Sequence, residues 1–478
     1  MSNIRYVCLS DMHLGQNDSI LTNLNSGLTG IDVSRPSPAL VALCHSLREL
    51  IKADKAQDPA PTLILAGDIF EMALTTMNNA MMDFERFIEL VMPEGRELFD
   101  KILYIPGNHD HHMWELARET QYVENYLKKT KPKDELNVPW HDSRMFEKEN
   151  KPLPVGYIIN NLLQRYDHLK KLEVSIAYPN FGLYQDKRCA IFHHGHFVEA
   201  IYHLMSDLAV MLSPGLKSPA DIGTIEAENF AWIDFFWSAM GRSGDVGPLV
   251  ENIYISLGVE KARDRLISNL AGSLIKKSDR KWLKLLRKPI ECLLKKIADN
   301  IVDRERSRTN GQPLSARGEN GLKTYLSGPV LTQMQNEIKA KPDNVTFIFG
   351  HTHKPYEKQY LLKGYPQNRV DVYNTGGWVV EKTSPEPMHG AAAVLLDDNL
   401  NATSLRLYNE TKYPAHYKVR VQEAGGASTK PNALTRHVRS LLEKTSSTWN
   451  EFSRITTAEI EKHKKYLKHR LDKLEKQS

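Results

Sequence analysis

Five short clusters distribute carboxylate, imidazole and amide groups along the chain. They are Asp11 and His13; Asp68 after Gly67; Asn108, His109 and Asp110 after Gly107; His193, His194 and His196 around Gly195; and His351 and His353 after Gly350. Any one of them alone says little, because a lone buried histidine is more often hydrogen-bonded structure than a ligand. Together they offer the oxygen and nitrogen donors that borderline divalent metals such as Mn, Fe or Zn accept. No GxxxxGK[ST] phosphate loop accompanies them, which argues against nucleotide-driven work. Among His193, His194 and His196 the residue types leave the choice of ligand open. His111 and His112 extend the third cluster and read as surface positions.

Each cluster follows a short apolar run, at residues 5–10, 61–66, 101–106, 188–192 and 344–349, with helical patterns between the runs. That order is the grammar of an α/β protein, in which loops at the carboxyl ends of neighbouring strands converge and bring distant residues together. Residues 370–374 and 391–396 read as further strands behind the last cluster. The expected organisation is a catalytic part over residues 1–196 and 344–410, a helical cap insertion over 197–343, and a basic helical extension over 411–478.

The cap carries Trp282, Leu285, Leu286, Ile290, Leu293, Leu294, Ile297 and Ile301 at helical spacing, with Pro289 expected to bend that helix. Residues 304–321, charged and nearly free of large apolar side chains, read as a mobile loop. In the tail, Ile460, Tyr466, Leu467, Leu471 and Leu474 form an incomplete apolar stripe that should pack or pair, a homo-oligomer through this helix being one outcome.

Composition is that of a folded, soluble chain: of 478 residues, 41% are hydrophobic and 25% charged, which argues against wholesale disorder. Net charge is only +5, but residues 254–309 carry 15 Lys or Arg against 7 Asp or Glu, and residues 412–478 repeat those counts. Such segments could face a nucleic acid or a membrane surface, although most charge runs are solvated helix faces. The four cysteines, Cys8, Cys44, Cys189 and Cys292, lack CxxC spacing and suit reduced thiols. With no apolar run long enough to span a bilayer and no secretion signal, a cytoplasmic location is expected, peripheral to a membrane if the substrate is a lipid.

The five clusters, in their order, resemble the motifs of the calcineurin-like metallophosphoesterase superfamily. The resemblance covers roughly residues 1–200 and 340–400 and leaves the cap and tail outside it. It implies a four-layer β-sandwich flanked by helices. It also implies two divalent ions, Mn first and Fe or Zn as alternatives. Asp11, His13 and His353 would hold one, and Asn108, His194 and His351 the other, with Asp68 between them. His194 is chosen because it precedes Gly195 as in the family's His-Gly step, which leaves His193 on the opposite side of its strand. An activated hydroxide would attack phosphorus, and His109 would protonate the leaving oxygen. Asp110 would orient His109, or else stabilise the turn.

Two stretches, residues 67–71 (GDIFE) and 374–379 (NTGGWV), resemble the UDP-2,3-diacylglucosamine pyrophosphatase branch. They favour a phosphodiesterase or pyrophosphatase acting on a nucleotide or lipid-linked phosphate. A nuclease acting on DNA or RNA, a protein phosphatase and a catalytically silent binding scaffold are the alternatives. Phe230, Trp232, Phe235, Phe236 and Trp237 crowd one stretch of the cap, and they suit a helical core or a lipid contact.

Overall fold

The computed structural model describes residues 3–477 apart from 55–58, 149–151, 214, 216–218, 220, 240, 242–304, 308–310, 339–340, 412–416 and 426–429. The expected stripe from Trp282 to Ile301, the bend at Pro289 and most of the basic cap segment lie outside the described residues.

Among the described residues, twelve strands form two sheets. The seven-stranded sheet runs β12-β11-β10-β1-β2-β3-β4 and the five-stranded sheet β5-β6-β7-β9-β8. In chain order the strands are β1 (Tyr6–Leu9), β2 (Thr62–Leu65), β3 (Lys101–Tyr104), β4 (Val174–Ile176), β5 (Asn180–Gln185), β6 (Arg188–His193), β7 (Asn344–Phe349), β8 (Tyr356–Leu361), β9 (Arg369–Asn374), β10 (Gly390–Leu396), β11 (Ala402–Asn409) and β12 (Arg420–Gln422). Strands β1 to β4 are mutually parallel, as are β6, β7 and β9. The clusters that follow β1, β2 and β3, and those that follow β6 and β7, therefore emerge at matching sheet ends.

Alternation of side chains assigns each strand to two apolar interfaces. Cys8, Ile64 and Leu103 face inward and meet Ala190, Phe192, Ile348 and Tyr373 of the other sheet. Val7, Leu9, Leu63, Leu65 and Ile102 face outward and pack on helices α1 (Pro38–Ala53), α2 (Met77–Val91), α3 (His112–Asn125) and α4 (Tyr157–Leu163). Ile191, Val345, Phe347, Val370 and Val372 face the cap. Three apolar interfaces separate four layers, the metallophosphoesterase architecture expected from the sequence.

Within the cap, every element described between His196 and Glu337 is helical. The main pieces are α5 (Leu204–Leu212), α6 (Ile222–Ile233), α7 (Ala316–Tyr325) and α8 (Leu331–Glu337). The described part of residues 304–321 departs from the expected mobile loop. Glu305–Ser307 form a 3-10 turn, Glu305 is buried, and α7 starts on an N-cap at Ser315, whose side chain accepts the Gly318 N–H. Hydrogen-bonded polar groups, together with the buried Leu314, hold the described part of this stretch, and hydropathy misses the polar share.

The tail is not purely helical either, since Arg420–Gln422 extend the edge of the seven-stranded sheet. Its helices, α9 (Ala433–Lys444) and α10 (Ser446–Gln477), return to the catalytic domain. Trp449, Phe452, Ile460 and Leu467 of α10 join the cluster that contains Leu40, Leu43 and Leu47 of α1. Of the expected stripe, Ile460, Tyr466 and Leu467 are thus buried within the chain, and the Leu474 side chain lies outside the described residues.

Candidate active site

The loops after β1 and β2 are joined by backbone hydrogen bonds: Asp11 N–H donates to Gly67 O, His13 N–H to Asp68 O, and Leu14 N–H to Ile69 O, each at 2.9 Å. Close approach requires glycine here. A Cβ on Gly350 would lie 2.0 Å from Asp11 Oδ2, and one on Gly107 would lie 2.3 Å from Asp68 Oδ1. Asp11, His13, Asp68, His351 and His353 all adopt left-handed φ between 44° and 68°. Such angles are costly for residues with a Cβ and persist only where the surroundings enforce them.

The structure gathers all seven expected ligand side chains, each buried. One group is Asp11, His13 and His353, and the other is Asp68, His194 and His351. Asn108 Oδ1 lies 3.1 Å from His194 Nε2 and so belongs with the second. Asp68 stands between them, with Oδ2 3.2 Å from His194 Nε2 and 3.7 Å from His13 Nε2.

The rings are oriented by groups behind them. His13 Nδ1 is 2.9 Å from Glu71 Oε2, His353 Nδ1 is 2.9 Å from Glu381 Oε1, and His351 Nε2 is 2.7 Å from Glu199 Oε1. His194 Nδ1 faces the Ala66 carbonyl oxygen at 3.2 Å. For His13, His351 and His194 the acceptor is hydrogen-bonded to one ring nitrogen, keeps the proton there and leaves the other nitrogen a lone pair, whereas Glu381 meets His353 Nδ1 as an ion pair only. The remaining nitrogens meet in pairs, His13 Nε2 with His353 Nε2 and His194 Nε2 with His351 Nδ1, both at 3.2 Å. Two imidazole nitrogens this close need a proton or a cation between them. Bonds of about 2.1 Å from one cation at near right angles would put neighbouring donors about 3 Å apart. The donor set and spacing therefore fit two divalent ions.

Burial lowers the His13 pKa to about 4, so that ring is already in its neutral, ligating form. For His194 burial acts the same way, but Asp68 outweighs it and lifts the pKa to about 9. A cation entering the second group has to displace that proton.

His109 and Asp110 separate in role. His109 Nδ1 lies 2.9 Å from Glu71 Oε1, while His109 Nε2 is buried with no hydrogen-bond partner among the described residues. Asp110 does not reach the His109 ring. Its carboxylate accepts N–H groups from Gly107, Asp68, Ile69 and Phe70 and the hydroxyl of Tyr104. It stabilises the turn, and the carboxylate that orients His109 is Glu71, within the GDIFE stretch. Glu199 and Glu381 carried no comparable sequence signal: one opens the insertion and the other follows Trp378 by three residues.

His193 lies on the far side of β6 from His194, ringed by Phe197, Tyr325 and Phe347. His196 Nε2 is 3.2 Å from the Tyr178 hydroxyl. His111 and His112, expected at the surface, are buried where α3 meets the cap. His111 Nε2 is 2.7 Å from Glu226 Oε1 and His111 Nδ1 is 3.5 Å from Asp234 Oδ1, while His112 Nδ1 is 2.6 Å from Glu115 Oε2.

Burial would lower the His111 pKa, but Glu226 and Asp234 outweigh it and raise it to about 9. A pKa raised above its unfolded value of about 6.5 stabilises the fold fully below that value and loses the contribution as pH rises through 9. The urea midpoint should therefore fall from pH 7 to pH 10, by the equivalent of on the order of 3 kcal/mol at most. His111→Gln should flatten that slope, and identical pH profiles for both chains would refute the assignment.

Residues 4–212 match the family model described as calcineurin-like phosphoesterase. No curated protein matches the chain. Among solved structures, a dimetal phosphatase from Danio rerio is similar at 11% identity and a TM-score of 0.28, over 86% of this chain and 98% of that one. Phosphopantetheinyl hydrolase (PptH) from Mycobacterium tuberculosis is similar at 14% identity and a TM-score of 0.23, over 79% and 90%. Likenesses this distant carry no reading of substrate.

Proposed function

We propose, from the match of residues 4–212 to the calcineurin-like phosphoesterase family model, a metal-dependent phosphodiesterase or pyrophosphatase acting on a nucleotide or lipid-linked phosphate. The observation that carries the choice of substrate is the aromatic cover that the cap lays over the ligand histidines. The Tyr202 ring lies 5.3 Å from that of His351 and 5.4 Å from Trp237, and Trp237 lies 6.4 Å from His109. Apolar rings at this position exclude water and suit a small or lipid-linked ester, whereas a polymer would need an open, basic groove.

Asp11, His13, His353, Asp68, Asn108, His194 and His351 would hold two ions, Mn in the first instance and Fe or Zn as alternatives. When bound, such a pair neutralises the phosphoryl oxygens and acidifies the attacking water. His109 manages the departing group. Glu71 stabilises its doubly protonated ring from the Nδ1 side, and Nε2–H donates to the leaving oxygen. The same reading puts the enzyme in the cytoplasm, and at the membrane surface when the substrate is lipid-linked. Phe235, 65% exposed on the cap, supplies an apolar contact there. Among the described residues no helix is long and apolar enough to cross a membrane.

The test compares hydrolysis of bis-p-nitrophenyl phosphate, p-nitrophenyl phosphate and an alkyl phosphodiester by the Mn-loaded chain. Diesters should be preferred. His109→Ala should cost about a hundredfold or more on the alkyl ester at unchanged metal content. The loss should be smaller on p-nitrophenyl esters, whose leaving group needs no proton. A preference for the monoester would overturn the diesterase reading in favour of a phosphatase.

A further inference from the structure

One cationic side chain of the insertion stands at the candidate metal centre with no role assigned so far. The 3-10 turn Glu305–Ser307 is tied down on several sides. Glu305 N–H donates to Glu199 Oε2 at 3.0 Å, and the other oxygen of Glu199 faces His351. The Ser315 N–H donates to Glu305 Oε2 at 2.8 Å, the Ser315 hydroxyl donates to Glu305 Oε1, and Lys354 Nζ donates to the Glu305 carbonyl. The next residue, Arg306, is only 16% exposed at its side chain, and its Nε lies 3.3 Å from Glu381 Oε1. That same oxygen is 2.9 Å from His353 Nδ1. Asp68 and Glu71 are near enough for their charges to act on the guanidinium.

A guanidinium carries five N–H donors in a fixed fork, and Glu381 lies beside the Nε side as an ion pair rather than a hydrogen bond. Beside a centre built for two divalent cations, a further buried positive charge is repelled unless an anion comes between them. Phosphoryl oxygens are anions of the right shape, since they accept two parallel hydrogen bonds from the guanidinium edge.

Resting on the phosphoester reading above, we propose that Arg306 is a phosphoryl-binding residue contributed by the insertion, its Nη1 and Nη2 taking oxygens of the substrate phosphate while Glu381 fixes the base of the fork. The insertion then supplies part of the binding machinery, in addition to covering it. Phosphate recognition is then shared between the ligand set and a turn of the insertion. Because Glu305 is hydrogen-bonded to Glu199, the fork is positioned from the carboxylate that orients His351.

The competing role is a counter-ion that only keeps Glu381 ionised behind His353, and the experiment separates the two. The Mn-loaded full-length chain, Arg306→Ala and Arg306→Lys are dialysed to equilibrium against inorganic phosphate, with Mn per chain measured on the same samples. Both variants should keep the Mn content of the parent. The phosphate Kd should rise about 10- to 100-fold in Arg306→Ala and about 10-fold in Arg306→Lys, which keeps the charge and loses the fork. Methylguanidinium should restore binding to the alanine variant.

A Kd within twofold of the parent in Arg306→Ala overturns the proposal. So does a loss of phosphate binding that simply follows a loss of Mn, or a parent chain that binds Mn and no phosphate. Should the parent bind both and hydrolyse no ester, the phosphoesterase reading fails while dialysis still decides the role of Arg306.

Discussion

Asp68→Ala should empty both halves of the metal centre and lower turnover by about a thousandfold or more. Asp68 is 1% exposed, and one of its oxygens lies between His194 Nε2 and His13 Nε2 while the other accepts the His109 N–H at 2.8 Å. Removing it takes away the one carboxylate shared by the two groups of ligands. It also removes the charge that offsets burial at His194. Asp68→Asn retains the shape and an acceptor for His109 N–H, so it separates loss of charge from loss of folding. Metal analysis of both variants after dialysis is the measurement, and full occupancy in Asp68→Ala would remove Asp68 from the ligand set.

Glu71→Gln should weaken metal binding at the Asp11, His13 and His353 group by about 10- to 100-fold and reduce turnover by at least as much. The argument is one of hydrogen-bond capacity. Glu71 Oε1 serves the Ala73 and Leu74 N–H groups, both at 2.9 Å, as well as His109 Nδ1, while Oε2 faces His13 Nδ1. A glutamine can offer one oxygen, and three donors converge on the Oε1 position. Its NH2 then faces His13 and forces Nδ1 to accept, which moves the ring proton to Nε2, the atom that would coordinate. Titration with Mn while following bound metal tests this. Parent-like affinity in the variant would mean that the His13 tautomer is set elsewhere.

The clusters were legible because each joins an apolar run to a glycine and a donor residue, a pattern that survives without coordinates. The resemblance's His-Gly step chose His194 over His193, and the structure places their rings on opposite sides of β6. What could not be read was which carboxylate lies behind which ring. Asp110 is adjacent to His109 in sequence, but its carboxylate accepts the amide of Gly107 and those of Asp68, Ile69 and Phe70 in the loop after β2, and it is Glu71 of that loop that reaches the His109 ring. Glu199 and Glu381 come from segments with no ligand-like pattern. The turn at Glu305 and the buried His111 escaped for a related reason. Both are held by polar contacts with distant residues, and hydropathy registers such residues as surface. Only the N-cap at Ser315 left a local trace.

The register of the seven-stranded sheet also bears on how the molecule is made. β1 lies between β2 and β10, so one flank of the strand that delivers Asp11 and His13 pairs with residues 394–396, and Trp378 N–H closes on the Asp11 carbonyl. During synthesis those partners leave the ribosome hundreds of residues after β1 does, and α10, whose Arg470 pairs with Asp18 at 3.2 Å, leaves later still. Pairings of such sequence separation form slowly and late. The nascent chain therefore presents scattered histidines and carboxylates long before it presents a site. Loading of a dimetal site that this donor set fits would accordingly follow the pairing of the late strands, and an ion captured earlier would be held by an incomplete set of donors.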